Sequence, residues 1–116
     1  MDKTAQDFIE EARQHIREID VPEAKRLVQQ HVRVLDVREP EEYSSGHLPD
    51  AINLPRGVLE FKLGEIESLQ DHKEPLLVYC KTGGRCALAT HTLQKMGYEQ
   101  VYSLAGGIDA WDAAED

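Results

Sequence analysis

The chain has 116 residues, 41% of them hydrophobic and 30% charged, which fits one globular domain and excludes a disordered chain. Lys plus Arg is 13 against 22 Asp plus Glu, and the net charge of −9 argues against a nucleic-acid partner, which needs a basic footprint. No apolar run approaches the ~20 residues of a membrane span, and Met1-Asp-Lys-Thr-Ala-Gln-Asp7 lacks the apolar core of a signal peptide. A soluble, cytoplasmic protein with no membrane partner is expected.

Thr4-Ala-Gln-Asp7 reads as a capping box opening a helix. Phe8, Ile9, Ala12, Ile16 and Ile19 recur at helical spacing, predicting about four amphipathic turns. Such a stripe packs on the domain, or else forms a homo-oligomer contact. This helix is read as an extension over residues 1–20, ahead of a domain at 21–116. Asp20-Val-Pro-Glu23 begins a second helix that ends at His31, with Ala24, Leu27 and Val28 as its apolar side.

Val32 to Val37 is short and β-branched, hence a strand. Glu39 to Gly46 reads as a short helix, Gly46-His-Leu-Pro49 as a turn, and Ala51 to Leu54 as another strand. Arg56 to Leu69 is a looser helical stretch with Gly64 as its weak point. Leu76 to Tyr79 is a strand, and Gly84 to Met96 a helix with Ala87, Leu88, Leu93 and Met96 inward and Gly97 closing it. Val101 to Leu104 is the last strand, and Ala105-Gly-Gly107 turns into a short helix carrying Trp111. Strands alternating with helices predict an α/β fold, with a central parallel sheet of about five strands and helices on both faces. Ligands then bind beyond the carboxyl ends of the strands, where Cys80, Asp36-Val-Arg38 and Leu104-Ala-Gly-Gly107 all fall.

The chemistry concentrates in Cys80-Lys-Thr-Gly-Gly-Arg85-Cys86. A thiol at a strand end faces a helix N-terminus, two glycines that let loop N–H groups converge, and an arginine. Each favours a thiolate over a thiol and holds an anion beside it. Arg38, Arg56, Lys62, Lys81 and Arg85 fall in or near these stretches, so a locally basic mouth on an acidic body suits a small anion. The bland alternative is a buried cysteine ending a core strand. Two cysteines six apart make no disulfide framework and are too few for a structural zinc site. The five histidines are scattered, so no metal or cofactor is implied.

Five pieces, in order, carry a family resemblance. They are Asp36-Val-Arg38, Glu42-Tyr43, Gly46-His-Leu-Pro-Asp-Ala51 with Asn53 and Pro55, Cys80-Lys-Thr-Gly-Gly-Arg85, and Leu104-Ala-Gly-Gly-Ile-Asp-Ala-Trp111. Across roughly Val32 to Trp111 the chain resembles the single-domain rhodaneses, thiosulfate-type sulfurtransferases. The resemblance implies that Cys80 is catalytic: it takes the outer sulfur of a small anionic donor such as thiosulfate, becomes a persulfide, and passes that sulfur to cyanide, a thiol or a protein cysteine. It implies an anion-binding loop of Lys81, Thr82, Gly83, Gly84 and Arg85, with Arg38 near the pocket. Asp36 and His47 are read as bracing residues, and Arg56-Gly-Val-Leu-Glu60 as bordering the acceptor side. Cys86 is either a small residue in the first helical turn, dispensable for transfer, or a resolving thiol. The rival readings are a persulfide carrier or binding module acting on protein partners, and a phosphatase or arsenate reductase. Phosphatase loops are Cys-x5-Arg, one residue longer than the loop from Cys80 to Arg85.

Overall fold

The computed structural model describes residues 2–114, so Met1, Glu115 and Asp116, the outer ends of the 1–20 and 21–116 segments, lie outside it. The strands are β1 (Arg17–Ile19), β2 (Arg33–Asp36), β3 (Ile52–Asn53), β4 (Leu76–Tyr79) and β5 (Val101–Leu104). They form one wholly parallel sheet in the order β1-β5-β4-β2-β3. The helices are α1 (Ala5–Arg13), α2 (Val21–Gln29), α3 (Pro40–Ser44), α4 (Leu59–Lys62), α5 (Gly84–Lys95) and α6 (Gly107–Ala113). The α/β fold with a five-stranded parallel sheet and helices on both faces is therefore as expected. Among the described residues no helix is long and apolar enough to cross a membrane.

The two faces follow from the period of two along a strand. In β4 all four residues are buried, as in a strand covered on both sides. Leu76 and Val78 join one core with α4 and α5, through Leu59, Ala89 and Leu93. Leu77 and Tyr79 join the other, with Ala24 of α2 and Ile108 and Trp111 of α6. The alternation continues one residue past the strand and places Cys80 on the α5 side. The chain leaves β4 toward β5 but leaves β2 toward β3. Adjacent strands β4 and β2 thus have connections diverging to opposite sides, the crevice that ligands occupy in open α/β sheets.

Local signals set the helix starts. Thr4 and Asp7 complete the capping box, with Asp7 N–H donating to Thr4 Oγ1 at 3.2 Å and Thr4 N–H to Asp7 Oδ2 at 2.8 Å. Asp20 accepts from Glu23 N–H at 3.0 Å and starts α2.

The first helix is shorter than its stripe predicts. α1 ends at Arg13, and Arg17–Ile19 pairs with Tyr102–Leu104 as the edge strand β1. Ile16 and Ile19 continue the helical period, but β5 offers an open edge, and pairing along it outweighs local propensity. α1 packs across α5: Ala12 is buried, and the His15 and His91 rings stack at 4.8 Å. Phe8, on the same stripe, is 50% exposed. Met96, expected inward, is 37% exposed because it caps α5 beyond the buried Ala89–Leu93 face. Arg56 to Leu69 is two α-helical or 3₁₀ turns followed by two further 3₁₀ turns, one of them spanning Gly64.

Candidate active site

Cys80 follows β4 directly and is buried to 1%. The chain then turns through Gly83, whose φ of 117° is open to glycine, and enters α5 at Gly84. Gly83 N–H donates to the Cys80 sulfur at 3.1 Å. The Cys86 thiol and the N–H groups of Cys86, Gly83 and Thr82 favour its charged form, and together they outweigh burial and hold the thiol at about 6. Cys86 is pushed the other way, up, by the neighbouring Cys80 charge and by burial.

The loop is clamped from behind by the Gly-Gly turn. Ile108 N–H donates to Cys80 O at 2.8 Å and Asp109 N–H to Lys81 O at 3.1 Å. These are free donors of the first turn of α6, used here to fix two loop carbonyls. Gly107 has φ 61°, and a Cβ there would lie 2.4 Å from Lys81 O and 2.5 Å from Cys80 O. Only glycine fits. From the other side α1 leans on the loop: a Cβ on Gly84 would meet Ile9 Cδ1 at 3.0 Å, and one on Gly83 would meet the Arg13 guanidinium at 3.4 Å.

The flanking polar residues form three ion pairs. Asp36 and Arg38 are both buried; Arg38 Nη2 donates to Asp36 Oδ2 at 2.8 Å and to Gly46 O at 2.7 Å. The Tyr79 hydroxyl donates to Asp36 Oδ2 at 2.5 Å and accepts from Leu48 N–H at 3.1 Å. Burial first, and then the Asp36 carboxylate, push the Tyr79 hydroxyl well up. Arg85 grips Glu42 of α3 with two parallel bonds of 2.7 and 3.0 Å. That fork is the main reason the Glu42 carboxyl lies at about 2. Lys81 Nζ is 3.1 Å from both oxygens of Asp109.

A hollow of about 640 Å³ opens beside the loop, lined among others by Arg38, Glu42, His47, Lys81, Asp109 and Trp111. Asp36 braces it from behind, through Arg38. His47 is exposed, stacks on Tyr43 with ring centroids 3.8 Å apart, and has Nδ1 2.9 Å from Tyr43 O. Arg56 lies elsewhere: it donates to Glu60 and Thr92 and lines a separate hollow between α1 and α5. Lys62 is exposed on α4. Thr82 is exposed and presents its backbone to the sulfur. Among the described residues no group of His, Cys, Asp or Glu is arranged to hold a metal ion.

Glu42, Tyr79, Ser103 and Asp109 were not singled out as site residues from the sequence. Glu42 and Asp109 stood inside matched motif pieces, which was the signal available for them.

The model of the Rhodanese-like domain matches residues 20–114. The chain belongs to the rhodanese-like domain family. Over 74 residues it is 36% identical to a sulfurtransferase of Allochromatium vinosum, a match covering 64% of this chain and 65% of that protein, just under two thirds of its length. It is 32% identical over 103 residues to thiosulfate sulfurtransferase 18 of Arabidopsis thaliana, covering 80% of this chain and 76% of that one. A protein of unknown function from Rhodopseudomonas palustris, described as a possible tyrosine phosphatase, superposes with a TM-score of 0.90 at 28% identity. That superposition covers 98% of this chain and 92% of the other. This rhodanese domain thus has sulfurtransferase relatives at modest identity.

Proposed function

We propose that the protein is a sulfurtransferase that carries sulfane sulfur on Cys80. The observation that carries this reading is the Cys80 sulfur held by loop N–H groups at the β4/β2 crevice, with its ionised form favoured. The thiolate attacks the outer sulfur of a donor such as thiosulfate. The new S–S bond forms as the donor's breaks, and sulfite leaves with the electron pair. A cyanide, thiol or protein-cysteine acceptor then takes the outer sulfur, and the pair returns to Cys80. This is two-step covalent catalysis, with no cofactor and with a cytoplasmic, reducing setting for the thiol.

The loop also discriminates against phosphoryl chemistry. Arg85 closes a loop one residue shorter than the Cys-x5-Arg loop of phosphatases, and both ends of its fork are bonded to Glu42, whereas phosphoryl transfer depends on charge positioned around the transferred group. Thiocyanate formation from thiosulfate and cyanide is expected to exceed hydrolysis of an aryl phosphate.

The deciding experiment is mass spectrometry after donor treatment. Cys80 should gain the mass of one sulfur atom, and Cys80→Ser should gain none. If no donor, thiosulfate or organic persulfide, loads Cys80, the reading fails. Ready loading from a protein persulfide with slow thiosulfate turnover would make the protein a persulfide carrier.

A further inference from the structure

His47 is an exposed side chain held in one place. The residues on either side of it are tied to the buried network behind the hollow. Gly46 O accepts from Arg38 Nη2 at 2.7 Å, and Leu48 N–H donates to the Tyr79 hydroxyl at 3.1 Å. Arg38 and Tyr79 are bonded in turn to Asp36. The ring lies flat on Tyr43, 5° from parallel with centroids 3.8 Å apart, and Nδ1 is 2.9 Å from Tyr43 O. The Tyr43 hydroxyl donates to Ala51 O at 2.7 Å, so the surface under the imidazole is fixed as well. Ordering an exposed ring costs side-chain entropy without the return of core burial. Bracing therefore runs toward His47, not from it.

A carbonyl oxygen only accepts, so the proton of the neutral ring is on Nδ1 and Nε2 keeps its lone pair. A histidine that takes protons is oriented in this way, with one nitrogen donating to a fixed acceptor and the other left basic. His47 lines the same hollow as Lys81 of the Cys80 loop. We infer that His47 is the general base for thiol acceptors, taking the proton of the acceptor S–H on Nε2. This role rests on the sulfur-transfer reading and specifies its second half.

The two half-reactions differ in their demand for a base. Thiosulfate brings no proton and Cys80 is favoured as thiolate, so loading needs none. A free thiol has a pKa of about 8.5 and is mostly protonated at neutrality, and only its thiolate attacks. In the step, the acceptor S–H bond breaks, its proton passes to Nε2 and its electron pair stays on sulfur. That sulfur bonds to the outer sulfur of the Cys80 persulfide, the bond from the outer sulfur to Sγ breaks, and its pair returns to Sγ. The product leaves as a persulfide anion, and the imidazolium releases its proton to solvent. No oxidant or reductant is consumed. Around the ring stand Tyr43 and Glu42 from α3, Arg38 from the segment after β2, Lys81 from the loop, and Asp109 and Asp112 from α6. Arg38 and Lys81 are each paired with a carboxylate. Beside these groups the imidazole is the type whose charge changes near neutrality.

The test has two readouts. Nitrogen NMR of histidine-labelled protein needs no sulfur donor and should show neutral His47 protonated at Nδ1; protonation at Nε2 overturns the proposal. Single-turnover unloading of the sulfur-loaded protein just above neutrality then compares two probes. One is 2-mercaptoethanol, which must lose a proton, and the other is sulfite, which attacks as the anion it already is. His47→Gln should slow the thiol reaction about 10²-fold and leave the sulfite reaction within about two-fold. The lost rate should return as pH rises toward the thiol's own pKa, and added imidazole should restore part of it in His47→Ala. A loss shared equally by both probes marks a residue that only shapes the hollow, and no loss marks a bystander; either result overturns the base. Should the variants fail to fold, the tautomer decides. A protein that never loads Cys80 overturns the sulfur-transfer reading, and the base with it, whereas a loaded protein indifferent to His47 overturns the base alone.

Discussion

Tyr79→Phe tests the polar network behind the hollow. The side chain is completely buried, and its hydroxyl is the sole difference from phenylalanine, so the ring and its 5.6 Å approach to the Arg38 guanidinium remain. Two bonds go: the donation to Asp36 at 2.5 Å and the acceptance from Leu48 N–H at 3.1 Å. The first is to a charge and contributes about 1.5–3 kcal/mol, while the orphaned Leu48 N–H costs about 1–3 kcal/mol. Asp36 keeps its bonds to Arg38, so the losses overlap rather than add, and about 2–4 kcal/mol is expected. For a domain of this length that lowers Tm by about 8–16 °C. Urea denaturation should show a lower midpoint with an unchanged slope. Tyr98→Phe is the control, since its hydroxyl makes one bond, to Leu69 O at 2.6 Å, and its loss costs about 1 kcal/mol. If Tyr79→Phe is no more destabilising than Tyr98→Phe, the Asp36–Tyr79–Leu48 network does not hold the wall as described.

Three further outcomes follow from single contacts. Gly107→Ala forces a Cβ into the Cys80 and Lys81 carbonyls and should cost more than about 2 kcal/mol and abolish loading; Gly57→Ala, with nothing within 4 Å, should stay within about 0.5 kcal/mol. Loading of Cys80 should follow its thiolate, half-maximal near the pKa of about 6 and flat well above it. This pKa is lowered on folding, so the associated stability is full above the unfolded value of about 8.5 and is lost as pH falls toward 6. The raised Cys86 works oppositely, losing its contribution as pH climbs above about 8.5. Glu42→Gln should cost about 1 kcal/mol at neutral pH, the pair being partly solvated. The wild-type advantage should vanish in acid denaturation curves between about pH 4.3, the unfolded value, and pH 2, the folded one.

Local features were legible because they are written in neighbouring residues. Cys80 to Arg85 shows its strand end, glycine turn and helix start within six positions, and Asp20 and Thr4 announce their caps. β1 was not legible: three residues at a sheet edge carry no alternation, and Ile16 and Ile19 extend the stripe of α1. The existence of β1 depends on β5, some 85 residues on, whose Tyr102 pairs with Arg17. The same holds at the site. The Gly106-Gly107 turn was visible as a turn, but its grip on the Cys80 and Lys81 carbonyls is a close approach between segments. Ser103 reads as one strand residue among four until the sheet sets it under Cys86.

Charge shows the difference most sharply, because the sequence reads as an acidic body with a basic mouth. In the fold every arginine and lysine beside the loop has a carboxylate: Asp36 on Arg38, Asp109 on Lys81, Glu42 on Arg85, and Glu18 on Arg13. Asp112 adds a further negative charge to the hollow. Paired in this way, these cations add little net charge at long range, where an approaching anion meets the net charge of −9. Attraction begins only at contact, with the loop N–H groups. The rate at which thiosulfate loads Cys80 should therefore rise with salt, as the Debye length falls from about 30 Å at 0.01 M to about 8 Å at 0.15 M and screens the repulsion. A gain of about two-fold is expected across that range. A steered anion at an open basic mouth would show the opposite sign. A loading rate that falls with salt would mean that at least one of these pairs opens in solution to receive the donor, and Lys81–Asp109, the most exposed of the three beside Cys80, would be the first to examine with Asp109→Asn.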